Sequence, residues 1–294
     1  MDSRPVRGLR SPGCGRSDPC YLFSPVRAVL PVLAFFCLVF SAAARDIPFH
    51  FVDGYILVHA RVNAHPVTLL LDSGASAPVL SVATARRLHI PLGRPEPVHG
   101  VEADATAFEI LPTIPTAQGL PLGTFDLAID LHNAARLCSE PIDGLIGVDF
   151  FKGRVTQIDY ANRRLRLLRA APAEGEPLPL LVKNGIFCLP VSVNGSRPRW
   201  TRLDTGCNDA LHWVVPRLSA SPRPRGVSIG FITDPQDETL VSIKLGRLAF
   251  PHVETTLHGT AIFPGEAGLL GSEVLSQYRV TIDAIHSRIL LAPR

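Results

Sequence analysis

Aspartate, a small hydroxyl residue and glycine follow one another twice in this 294-residue chain. The first triplet is Asp72-Ser73-Gly74 within LLLDSGAS, and the second is Asp204-Thr205-Gly206 within TRLDTGCN. Average residue usage gives about 0.1 copies of such a triplet at this length, so a pair points to a shared purpose. Two carboxylates held together cannot both ionise comfortably. One keeps a proton while the other can act as base, and a water molecule between them would be activated for attack on an electrophilic carbon. Glycine after each pair of residues lets the backbone turn tightly.

The elements that would position these triplets recur with them. Val52 to Gly74 lines up with Lys183 to Gly206: each has a turn glycine, an alternating strand pattern, a Val-Asn turn and a second strand ending at the aspartate. Gly144 to Leu168 likewise matches Gly268 to Ala292. Gly147 and Gly271, and Asp159 and Asp283, sit 124 positions apart, and Leu122-Gly123 corresponds to Leu245-Gly246. One unit is thus written twice. Short runs of Val, Ile, Leu, Phe and Thr between Gly, Pro and Asn predict strands and an all-β architecture. Helical spacing is convincing only over Ser81 to Ile90, where Ser81 can cap a short helix. The expected organisation is a first lobe over 45–170, a linker over 171–177 and a second lobe over 178–294.

With those residues in view, the chain resembles the aspartic peptidases. Its compact lobes, each with Asp-Ser/Thr-Gly and later two apolar residues and a glycine (Leu145-Ile146-Gly147 and Leu269-Leu270-Gly271), are most similar to the retropepsin-like group. The resemblance runs from about residue 48 to the end and implies two retropepsin/pepsin-like β-barrel lobes with a cleft between them, joined in one chain as in pepsins. It implies that Asp72 and Asp204 are catalytic and hydrolyse a peptide or protein substrate. It further implies that Ser73 and Thr205 cross-link the two active loops, that Gly74 and Gly206 turn their amides toward the carboxylates, and that Gly147 and Gly271 let a strand pass close behind. The alternative is a catalytically silent peptide-binding protein of the same fold. A scaffold whose lobes pair between chains is a further alternative, although a monomer is expected.

Two features depart from the pepsin pattern. Ala75 and Cys207 stand where pepsins place a hydroxyl donor, which predicts a less acidic working range. The first lobe carries nine more residues between its aspartate and the Leu-Gly landmark, so the principal flap is expected around Pro97 to Ile110, without the tyrosine usual in pepsins.

The remaining residues set the address and exclude other functions. Arg27, the apolar run Ala28 to Phe40 and the small residues Ser41 to Ala44 predict an export signal over 1–44, with Val26 as an alternative start; an uncleaved membrane anchor is the other reading. Only three lysines against many arginines fit a GC-rich, bacterial genome, and the expected location is periplasmic or secreted. The net charge of +3 comes wholly from residues 1–44, and a neutral body argues against nucleic acid as a partner. Cys138, Cys188 and Cys207 remain after the signal, an odd number that matches no zinc pattern. The ten histidines show no ligand spacing, so neither metal nor cofactor is expected. Asp159 and Asp283 are assigned to turns, Asp143 and Asp149 to turns or the surface, Trp200 and Trp213 to packing of the second lobe with a substrate pocket as the alternative for Trp213, and Asn194-Gly195-Ser196 to a hairpin turn.

Overall fold

Side chains along Tyr55–Val62 alternate between buried and exposed toward the strand's end, and those along Ile186–Val193 between buried and half-buried, the period-two pattern of a half-covered sheet. The computed structural model describes residues 45–99, 104–215 and 237–294. The expected signal over 1–44 and the tip of the expected flap (100–103) lie outside the described residues. Among the described residues the chain is all-β, with three sheets, and no helix is long and apolar enough to cross a membrane.

The N-terminal sheet has ten strands and the C-terminal sheet seven; the latter closes into a barrel because Asp237–Leu245 pairs back onto Ile186–Val193. In each sheet the strand that ends at an aspartate (His65–Leu71, Arg199–Leu203) lies parallel to a short strand, Gly144–Ile146 or Gly268–Leu270. That short strand lies antiparallel to Val79–Ser81 or Leu211–Val214. Those in turn lie parallel to Phe125–Ile129 and Leu248–His258. A central parallel pairing of this kind, covered on both faces, accounts for the near-continuous Leu69-Leu70-Leu71 run.

The third sheet joins the other two. Its order is Arg45–Pro48, Arg164–Leu168, Val155–Asp159, Tyr278–Asp283, Arg288–Pro293, Glu176–Pro179. Its centre is the antiparallel contact of Val155–Asp159 with Tyr278–Asp283, in which Gln157 faces Thr281 and donates to its hydroxyl at 3.1 Å. Those two residues are separated by the same 124 positions as Gly147 and Gly271. The strand Glu176–Pro179 begins inside the segment expected to be a linker, because Glu176 pairs opposite Leu291.

Turn assignments hold at several positions. Asp159 accepts from the Asn162 amide and side chain, and Asp283 accepts from His286 and Arg288. Although burial alone would raise it, Asp283 is held below the usual carboxylate range by Arg288 and His286. Asn194 and Gly195 both adopt positive φ (49° and 74°) in the expected hairpin turn. Asp143 departs from its surface assignment: it is buried and accepts from the Thr68 amide, the Thr84 hydroxyl and Arg87. Ser81 caps the helix Val82–Arg87 by accepting from the Thr84 amide. Two further short helices, His132–Leu137 and Ser272–Leu275, had no sequence signal.

One apolar core runs through all three sheets, including Leu71, Ile146, Phe150, Ile158, Leu203, Leu270, Val274 and Val280. Ile158 sits fully buried in the joining sheet, opposite Val280 and Leu165. Truncating it to alanine should cost about 2–5 kcal/mol, read as a lowered denaturant midpoint. A loss below about 0.5 kcal/mol would mean that this sheet does not hold the molecule together.

Candidate active site

Each aspartate leaves the end of its strand tethered by its own amide, which donates to the neighbouring short strand: Asp72 to Ile146 O at 2.9 Å and Asp204 to Leu270 O at 3.0 Å. The chain then turns back. Asp72 Oδ1 accepts from the amides of Gly74 and Ala75, both at 2.9 Å, and Asp204 Oδ1 from the amide of Gly206 at 2.9 Å.

The two turns interlock beneath the carboxyls. Ser73 Oγ donates to Leu203 O at 2.8 Å and accepts from the Thr205 amide at 3.0 Å. Thr205 Oγ1 donates to Leu71 O at 2.7 Å and accepts from the Ser73 amide at 3.0 Å. Ser73 and Thr205 are fully buried, so four reciprocal bonds replace solvation for both hydroxyls and both amides. Above this lattice the Asp72 and Asp204 carboxyls meet within hydrogen-bonding contact. Each glycine faces the opposite aspartate: a methyl added at Gly74 would overlap the Asp204 carboxyl, and one at Gly206 the Asp72 carboxyl. Behind the turns, a methyl on Gly147 would lie 2.6 Å from the Ala77 carbonyl carbon, and one on Gly271 would strike the Asp209 carbonyl. All eight residues singled out in the sequence are thus brought to one place.

Electrostatics separate the two acids. Burial, then the charge and hydrogen bond of Asp204, push the Asp72 carboxyl well above its usual range. Burial also raises Asp204, but the nearby Arg202 guanidinium opposes that rise. Neither Ala75 nor Cys207 offers the pair a hydroxyl, although the Ala75 amide donates to Asp72 Oδ1. The Cys207 thiol is pushed well above its ordinary value by burial and by the charges of Asp204 and Asp209.

Arg202 was not singled out in the sequence, although a charged residue two positions before the second aspartate, where the first triplet has Leu70, was a signal. It is fully buried and makes a two-pronged ion pair with Glu266, at 2.7 and 3.0 Å. Its Nη1 donates across to Gly74 O at 2.8 Å, and its guanidinium stacks on Phe263. The strand register places Leu70 at the matching position of the N-terminal sheet, and Ile142 stands two residues before Gly144 as Glu266 does before Gly268. The turn Asp53-Gly54 also reaches this region: Asn208 Nδ2 donates to Asp53 O at 3.2 Å. The hairpin of Pro95–His99 and Asp104–Thr113 occupies the stretch where the flap was expected.

Residues 58–153 match the family model described as "gag-polyprotein putative aspartyl protease", about one third of the chain, and this stretch contains Asp72, Ser73, Gly74 and Gly147. The match supports an aspartic peptidase in general terms. No curated protein matches the chain significantly.

Two outcomes follow from this geometry. Because the folded Asp72 holds its proton more tightly than the unfolded residue, its contribution to stability is present below about pH 3.9 and is lost as pH rises toward the folded value. Asp72→Asn escapes that loss, so it should raise the melting temperature by a few degrees at pH 7, with the gain shrinking as pH approaches about 4; a lowered melting temperature at pH 7 would contradict the burial argument. Glu266→Ile leaves Arg202 buried without its counter-charge and should cost about 3–5 kcal/mol. Combining it with Arg202→Leu should recover most of that, as denaturant titration of the single and double variants would show.

Proposed function

We propose that the chain is an aspartic endopeptidase that hydrolyses peptide bonds by a water held between Asp72 and Asp204, one from each of two duplicated lobes. The observation that carries this reading is the buried contact of the two carboxyls over the Ser73–Thr205 lattice. Asp204, with Arg202 beside it, carries the charge and draws a proton from the water as the water attacks the peptide carbonyl. Asp72 holds the shared proton and donates it to the developing oxyanion; a proton then passes to the leaving nitrogen. The pair titrates as a unit, so its two apparent constants belong to both acids together.

Duplication is supported by the matching strand order around each aspartate and by the Gln157–Thr281 contact at the centre of the joining sheet. We further propose that residues 1–44 direct export, on the strength of their apolar run and small-residue end, and that the exported protein acts as a monomer, because both aspartates come from one chain. The substrate is an extended peptide, and the paired strands Pro95–His99 and Asp104–Thr113 serve as its cover.

The full chain, incubated with casein and a mixed peptide library, should cleave both, and a pepstatin-type inhibitor should reduce the rate. Asp72→Asn and Asp204→Asn should each lower kcat by at least about 10²–10⁴-fold. The rate should peak in the mildly acidic to neutral range, since burial raises both carboxyls. Peptide binding with no turnover by the unaltered chain would replace this reading with that of a silent binding protein, and a peak at or below about pH 3 would contradict the proposed environment of the pair.

A further inference from the structure

We propose that Cys207, Asp209 and His212 form a site for a thiophilic divalent cation of the zinc type, placed directly beside the aspartate pair. The three residues offer a sulfur, a carboxylate oxygen and an imidazole nitrogen whose ligand atoms all lie within 4.8 Å of one another. Only modest closure would bring them to the spacing of a tetrahedral centre with bonds of about 2.0–2.3 Å. A mixed S, N, O set with a fourth position left open suits zinc, and cobalt as its spectroscopic substitute, better than the hard cations calcium or magnesium.

The surroundings of His212 strengthen the assignment. The ring is almost fully buried, and its orientation is fixed at both nitrogens: Nε2 lies 2.8 Å from Asp209 Oδ2 and Nδ1 lies 2.9 Å from His258 Nε2. A partner on the nitrogen opposite the metal is what a ligating histidine requires to hold its tautomer. Without a cation, His258 can donate to His212, and His212 to Asp209. With a cation, both rings shift tautomer: His212 Nδ1–H donates to His258 Nε2, and the His212 Nε2 lone pair turns to the metal. Neither ring changes its charge in this exchange. The proton that leaves is that of the thiol: Cys207 S–H and the dication give a metal–thiolate bond and one released proton. Asp209, whose side chain is 55 % exposed, gives the ion a path from solvent.

The loop that carries these ligands is the active loop itself, since Cys207 follows Gly206 and its carbonyl accepts from the Ser272 amide at 2.8 Å. Cys207 stands three residues after Asp204 on that loop, so a cation held there sits near the pair. A bound dication would therefore stabilise both acids in their ionised form and deprive the pair of its shared proton. On the proposed peptidase reading the metal is an inhibitor; the binding site itself stands without that reading.

Cobalt and zinc titrations of the reduced full chain test the site independently of activity. One equivalent of cobalt should produce a thiolate-to-metal charge-transfer band that zinc displaces, with affinity falling about tenfold per unit drop in pH. Cys207→Ser should abolish the band, Asp209→Asn should weaken binding with the fold intact because that side chain is half exposed, and His258→Phe should weaken it about 10–100-fold. Cys138→Ser and Cys188→Ser should leave the band unchanged. The proposal is overturned if the band survives Cys207→Ser, if no stoichiometric uptake occurs, or if uptake is lost in Asp72→Asn and Asp204→Asn but kept in Asp209→Asn. Zinc uptake at this site without loss of peptide cleavage would overturn only its inhibitory role.

Discussion

Two carboxyl groups touching inside a protein are the constraint to which the surrounding structure answers. Burial and mutual repulsion both oppose their ionisation, so together they hold one proton over a wide pH range. Such a contact would relax by pulling apart if the backbone allowed it. The reciprocal bonds of Ser73 and Thr205 prevent that, because moving either loop would strand two hydroxyls and two amides away from water. The same closeness explains the glycines. Gly74 and Gly206 have no Cβ because the opposite carboxyl occupies that space, and Gly147 and Gly271 have none because backbone passes there.

Nothing in that lattice distinguishes one acid from the other, yet the environment does. Arg202 takes the place that Leu70 holds in the N-terminal sheet, and it brings Glu266 with it. A buried ion pair is a poor source of stability compared with apolar packing of the same volume. Its presence here fits a positional role better. The guanidinium binds the carbonyl of Gly74 in the opposite loop, and its charge opposes the rise of Asp204. Asp72 also accepts two amides where Asp204 Oδ1 accepts one, which pulls the other way. On the proposed reading the cation outweighs those amides, because a full charge acts more strongly than neutral dipoles at short range. On the proposed duplication, two halves encoded in one chain are free to diverge in this manner; two copies of one chain are not.

Much of this was legible in the residues because it depends on local sequence. The Asp-Ser/Thr-Gly turns, the apolar-apolar-Gly strands and the Ser81 cap are each set within a few positions, and the offset of 124 survives into the register of the joining sheet at Gln157 and Thr281. What stayed hidden depends on contacts between distant positions. Arg202 and Glu266 are 64 residues apart, and nothing near either one announces the other. His212 and His258 meet only because Leu211–Val214 lies parallel to Leu248–His258, which places Val214 beside His258. Asp143 was assigned to a turn or the surface, but its partners Thr68, Thr84 and Arg87 come from a distant strand and a helix. The short helices His132–Leu137 and Ser272–Leu275 are too brief for hydrophobic periodicity to register.

The same interlocking limits how a substrate could enter. On the proposed reading, an extended peptide must reach the carboxyls from above, and a common way to admit one is to swing two lobes apart. Here the lobes are bound at two levels: by the loop lattice with the Arg202–Gly74 bond, and by the antiparallel joining sheet. Separating them would break buried hydrogen bonds at both levels, each expensive to leave unmade. A hairpin needs no such rupture. The strands Pro95–His99 and Asp104–Thr113 pair with each other at one edge of the N-terminal sheet, with only Asp104–Thr113 bonded inward to Phe125–Ile129. Bending there would disturb the packing of Val98 and Ala107 but no bond of the loop lattice or of the joining sheet, so on the proposed reading entry and release fall to that hairpin while the floor beneath it stays fixed.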